Sequence, residues 1–363
     1  MAESSKPVAR AETVGSLLQP DALLEARKSG DEAARRTAED VAVDAAIELQ
    51  EGVGLDVITD GEMRRTSWAD TTSFINGLER RKGLRSYPTS AKANNPEGEF
   101  AVVVNKISLK PDRHVAEEYP YLKARAKSRT KYTMAAPSYH RRYWSDGAST
   151  VAYENCEAFL TDVRDWLRDV ATWLVAQGCD YIQLDAPNYG SLCDPETRAW
   201  HESVGHDVDK EIAFDAALDS SVFEGVPANV TRALHICRGN QPGGTWHSSG
   251  GYGVLADAMF PNLEMDALLL EYDSDRAGDF APLAKIKPGQ VAVLGLLTTK
   301  EAPLESRASV EARLEEAAGI KPLQELALST QCGFASAQNA PMTIDEEIAK
   351  LNLVSGVAHS IWG

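Results

Sequence analysis

Residues 154–185 read ENCEAFLTDVRDWLRDVATWLVAQGCDYIQLD, and the apolar period changes along the way. Phe159, Val163, Leu167, Val170 and Leu174 fall on one face of an amphipathic helix, and Gly178 stands where a C-terminal stop belongs. The run Tyr181–Asp185 that follows is short and apolar, as a buried strand is. A helix leading straight into such a strand is the repeating unit of a parallel α/β sheet.

Working outward, comparable runs occupy residues 11–15, 55–60, 131–135, 232–237, 267–271, 291–297 and 326–329, which makes eight with 181–185. Eight strands alternating with helices predict a single (β/α)8 TIM barrel over residues 1–363. The rival, an open doubly wound sheet, would carry a Gly-rich dinucleotide turn after its first strand, and none is present. The last helix opens on Thr343-Ile344-Asp345-Glu346, the pattern of a capping box. The spacing is irregular once: about seventy residues part the second run from the third, more than a crossover needs. Residues 72–130 are therefore read as an insertion, with an exposed stretch at 88–98 and an extra strand or hairpin near 102–109.

A formal charge of −17 argues against nucleic-acid or membrane-surface partners, since both demand basic patches. The first dozen residues lack the apolar run of a signal peptide, and no stretch is apolar enough to span a bilayer. Five cysteines in 363 residues do not suggest a disulfide framework. A cytoplasmic location, where thiols stay reduced and can bind metal, is the expectation.

In a parallel barrel the functional groups lie at the C-terminal ends of the strands. Those ends here carry Ser16, Glu62, Asp185, His235 with Cys237, Glu271, Lys300 and Cys332. His235 and Cys237 are two apart on one strand, so both project to the same side. Alone, such a pair is more often core packing. With Glu271 and Cys332 at neighbouring strand ends, a tetrahedral zinc site built from His235, Cys237, Glu271 and Cys332 becomes the better reading.

The motifs TVGS (13–16), LDVITDGE (55–62), YIQLD (181–185), HICRGN (235–240), EYDSDRAGD (271–279) and QCGFA (331–335) occur in that order. In this the chain resembles the cobalamin-independent methionine synthase family, in its short single-barrel branch. The resemblance implies zinc as cofactor and transfer of a methyl group from an alkyl donor to a small-molecule thiol, homocysteine, giving methionine. It also implies that Glu62 and Asp185 bind the ammonium of the thiol while residues 14–16, Ser16 included, meet its carboxylate. The long members carry a catalytic histidine after strand seven where this chain has Lys300, which makes Lys300 the expected catalytic or anion-binding residue. The same branch includes epoxyalkane:coenzyme M transferases, in which a thiol opens an epoxide and a sulfonate needs a cation. Arg238, Arg276 and Lys300 are the cations that this alternative offers, and Arg238 is taken as a substrate-binding residue.

Overall fold

The computed structural model describes residues 6–69, 73–90, 94–110, 116–336 and 341–363. Its strands are β1 (Ala11–Glu12), β2 (Val57–Ile58), β3 (Ile75–Lys82), β4 (Glu99–Leu109), β5 (Arg129–Thr130), β6 (Tyr132–Ala135), β7 (Tyr181–Asp185), β8 (Thr231–Ile236), β9 (Asn240–Gln241), β10 (Thr245–Trp246), β11 (Ala267–Glu271), β12 (Val291–Leu297) and β13 (Leu326–Thr330). The helices are α1 (Asp21–Ser29), α2 (Glu32–Gly52), α3 (Tyr119–Arg125), α4 (Cys156–Ala176), α5 (Pro187–Ser191), α6 (Pro195–Ser203), α7 (Val208–Ser221), α8 (Gly253–Met259), α9 (Arg307–Ala318) and α10 (Ile344–Trp362).

The main sheet runs β5-β2-β1-β13-β12-β11-β8-β7-β6, with every pairing parallel. Its two ends, β5 and β6, are consecutive in the chain and parted only by Lys131. The Lys131 amide donates to the Ile58 carbonyl at 2.9 Å, so β5 and β6 act as one strand facing β2 and β7. The sheet closes through that strand as a TIM barrel. The first two strands are shorter than the sequence suggests. Beyond Glu12 and Ile58 the chain bends onto the rim, where Thr59 Oγ1 donates to the Gly15 carbonyl at 2.7 Å and Gly61 takes a φ of 67°.

Strand periodicity sorts the core into two layers. Ala233 belongs to a small cluster inside the barrel with Tyr181, Leu269 and Val293, while Leu234 and Ile236 face the larger layer under the helices. His235 shares the inward parity of Ala233. In α4, Phe159, Val163, Leu167, Val170 and Leu174 are all buried, each worth about 1.5–3 kcal/mol on leaving water. Asn155 caps that helix by accepting from the Ala158 amide at 2.8 Å, and Gly178 ends it at φ 84°. The capping box of α10 is formed, Thr343 Oγ1 accepting from the Glu346 amide and Glu346 Oε2 from the Thr343 amide.

The expected insertion contains an antiparallel hairpin, β3 with β4, outside the barrel sheet. Phe100, Val102 and Val104 form its own small core. Residues 72, 91–93 and 111–115 of that expectation lie outside the described residues. Among the described residues no helix is long and apolar enough to cross a membrane.

Candidate metal centre and cavity

His235 sits near the end of β8 and Cys237 just beyond it. The His235 ring points Nδ1 at the Leu269 carbonyl of β11, 3.1 Å away, a contact that requires the proton on Nδ1. Nε2 is thereby left as a lone-pair donor, and among the described residues it is buried without a hydrogen-bond partner. Cys332 follows β13 on a short loop fixed by the Thr330 hydroxyl, which donates to its carbonyl at 2.9 Å. The donor atoms of His235, Cys237 and Cys332 all lie within 4.8 Å of one another.

The sulfurs of Cys237 and Cys332 are 3.8 Å apart. Two sulfurs each about 2.3 Å from a tetrahedral zinc would be separated by about 3.8 Å, so this spacing fits the ion. Hydrogen bonding from Cys237 is the main cause holding the Cys332 thiol well below its ordinary range, while the same pairing pushes Cys237 well above. One thiolate is thus already favoured, and a divalent cation would displace the second proton.

Glu271, expected as the fourth ligand, stands apart from this group. It ends β11 fully buried, and its Oε2 accepts from the Arg238 amide at 2.7 Å. Oε1 accepts from Arg276 at 2.6 Å and from Lys300 Nζ at 3.3 Å. Burial would raise this acid, but Lys300, Arg238 and Arg276 outweigh burial and hold it at about 2. Lys300 Nζ is also 3.3 Å from Asp273, so its charge is committed to two buried carboxylates. The Arg238 guanidinium is bound to the carbonyls of Gly250, Glu271 and Ala277 and stacks 4.2 Å from the Tyr252 ring centre. Both cations, expected to bind an anion, are engaged here with groups of the protein itself.

A cavity of about 290 Å³ opens above the three donors and is lined by Gly15, Ser16, Glu62, Asp185 and Arg238 among others. Ser16 Oγ accepts from the Ala335 amide at 3.2 Å, and its carbonyl takes the Phe334 amide at 2.8 Å. A side chain at Gly333 would meet Ser16 Oγ at 2.2 Å, so this close seam between the first and last rim loops requires glycine. Glu62 has a φ of 56°, an uncommon conformation for a non-glycine residue and one often kept at functional sites. Its Oε1 accepts from the Thr133 hydroxyl at 2.7 Å and lies 3.4 Å from Arg65. Burial raises Glu62 to about 7, with Arg65 opposing and Asp185 adding to the shift. Asp185 is raised to about 6, again chiefly by burial, and its Oδ1 accepts from Gln183 at 2.7 Å. Lys131 Nζ donates to the other end of that amide, which fixes its orientation.

The sequence reading missed several residues of the cavity: Trp68, Tyr139, Arg142, Asn240 and His247 line it too. All of them lie in the segments that follow the strand runs, and that position was the available signal.

Residues 12–359 match the family model described as the cobalamin-independent synthase catalytic domain. Two uncharacterized proteins of Bacillus subtilis (strain 168) are similar throughout. YxjH is 32% identical over 97% of this chain and 94% of its own length, and YxjG 31% over 99% and 96%. A Listeria monocytogenes structure, provisionally assigned as a vitamin-B12 independent methionine synthase, superposes with a TM-score of 0.75 at 27% identity, covering 99% of this chain and 100% of that one. A B12-independent methionine synthase from Shewanella sp. W3-18-1, solved with selenomethionine, has the same fold, with a TM-score of 0.75 at 20% identity over 98% of both chains. With that family model matched over residues 12–359 and two relatives more than 30% identical along almost the whole chain, the chain belongs to the cobalamin-independent synthase catalytic-domain family.

Proposed function

We propose that the protein is a zinc-dependent methyltransferase that moves a methyl group from an alkyl donor to a thiol, homocysteine, to give methionine. The observation that carries this reading is the convergence of His235 Nε2 and the two cysteine sulfurs at the floor of a cavity that also holds Glu62 and Asp185. Zinc, when bound, would supply the charge that converts the incoming thiol to its reactive thiolate.

The chain's own residues do the rest in this proposal. His235, Cys237 and Cys332 hold the ion, and the Leu269 carbonyl keeps the His235 ring in the ligating tautomer. Glu271 is the fourth donor, and to join it must give up Arg276 or Lys300 on Oε1. Glu62 and Asp185, once ionised, receive the ammonium of the thiol and orient its sulfur toward the cluster. Lys300 acts at one remove, through its hold on Glu271, and not as a proton donor to the substrate.

The epoxide-opening alternative relied on Arg238, Arg276 or Lys300 to meet a sulfonate. All three are paired elsewhere. The preference for an amino-acid thiol rests on the two carboxylates Glu62 and Asp185 in the cavity, which suit an ammonium that coenzyme M lacks. The test is proton release from the zinc-loaded protein on adding homocysteine, cysteine, coenzyme M or glutathione. Homocysteine should release about one proton per site. Silence from all four thiols would defeat the reading.

A further inference from the structure

Arg142 lines the same cavity as the metal-ligating cluster, carried by the 3-10 turn Ser138–Tyr143 just after β6. Its one hydrogen bond among the described residues runs from the guanidinium to the Tyr139 hydroxyl. The group lies 4.9 Å from the Tyr139 ring centre and 5.8 Å from that of Tyr143. No carboxylate among the described residues pairs with it. This is unusual in a chain with 54 acidic and 37 basic residues, where Arg238 in the same cavity and Arg65 beside Glu62 are both engaged. Arg65 contacts Glu62 and Glu118, and Arg238 is bound by carbonyls. Enclosed charges are ordinarily paired, because leaving water without a partner is costly.

The surroundings register that charge. Burial and the Arg142 charge both hold His247 and Arg85 below their ordinary ranges. Trp68 stacks 4.8 Å from Tyr139, which gives this side of the cavity an aromatic wall beside the cation. The opposite charge, on Glu62 and Asp185, lies elsewhere in the same cavity.

We propose that Arg142 is the anion-recognition residue of this cavity and takes a carboxylate or sulfonate on a short carbon body. This deepens the reading of the cavity as the substrate site. The anion has two possible sources, the carboxylate of the acceptor thiol or an acidic group of the alkyl donor. A five-donor planar fork suits either oxyanion and holds it in two parallel bonds.

The test uses metal-free protein, so that its outcome does not depend on thiol activation. Butanesulfonate and butanol are titrated by ligand-observed NMR against wild type, Arg142→Gln and Arg142→Lys. The sulfonate should bind wild type more tightly than the alcohol does, and Arg142→Gln should weaken the sulfonate alone by about tenfold or more. Arg142→Lys, which keeps the charge but loses the fork, should fall between. Repeating the titration with saturating homocysteine separates the sources. Displacement assigns the anion to the acceptor, and joint binding assigns it to the donor. Equal sulfonate affinity in wild type and Arg142→Gln overturns the proposal, as does a crystal soaked in butanesulfonate that shows the anion away from Arg142. Proton release with thiols but no effect of Arg142→Gln would remove this inference and leave the proposed function standing.

Discussion

Cys237 and Cys332 are 95 residues apart in the chain, yet their sulfurs lie 3.8 Å from one another beside the Nε2 of His235, which has no hydrogen-bond partner among the described residues. Barrel closure brings β8 and β13 to one rim, and this geometry makes the site testable without knowledge of the donor.

Metal content is the first measurement. The purified protein should hold about one zinc per chain, in keeping with single tetrahedral sites. Cys332→Ser should lose most of it, while circular dichroism stays that of the wild type, because a rim ligand is not part of the packed core. Full occupancy in Cys332→Ser would remove that cysteine from the ligand set.

Glu62 and Asp185 give the metal-free protein a definite pH dependence. Methionine, which has no thiol to titrate, should bind more tightly as pH rises through about 6 and about 7, where the two raised carboxyls ionise and can receive its ammonium. The double substitution Glu62→Gln with Asp185→Asn should flatten that profile and weaken binding about tenfold or more. Unliganded stability runs the other way. Each raised acid holds its proton more tightly folded than unfolded, so its contribution is full below about 4 and is lost by about 7. A methionine affinity independent of pH in the wild type would contradict the assignment of both acids.

Lys300 should matter to stability more than to thiol recognition. Removing it leaves Arg276 as the ion-pair partner of both Glu271 and Asp273 among the described residues, and breaking a buried pair costs about 3–5 kcal/mol. Lys300→Met should therefore lower the unfolding free energy by that order, with little change in the apparent KM for thiol. Unchanged stability together with a shifted pH–rate profile would instead make Lys300 a participant in proton transfer.

Gly190 is a backbone test of the metal centre. A Cβ added there would stand 1.9 Å from the Cys237 carbonyl oxygen, so α5 could not keep its place against the end of β8. Gly190→Ala should displace Cys237 and weaken zinc binding about tenfold, read by competition with a chelator. Wild-type affinity in that variant would show that the loop relaxes without moving the ligand.

Much of this was legible in the linear sequence. All eight strand runs overlap barrel strands, although at 11–15 and 55–60 the strand itself covers only Ala11–Glu12 and Val57–Ile58. The split at Lys131 explains why the third run looked shorter than the strand that closes the barrel. Period-two alternation placed His235 and Cys237 on one side, and the alternating helices fixed the parallel order that puts Cys332 on the same rim. These features depend on local apolar periodicity, which each segment carries within itself.

The partners of the long charged side chains could not be read in the same way. Glu271, Asp273, Arg276 and Lys300 were visible as acids and cations at strand ends, but their mutual engagement depends on packing between β11 and the loop after β12. Arg238 is turned onto carbonyls of residues 250, 271 and 277, and Arg142 is left facing the cavity. The sequence alone determined the barrel, its rim and the residue types of the candidate metal centre. Only the tertiary structure decided which charges neutralise one another and which remain for a ligand, because that depends on distances between segments far apart in the chain.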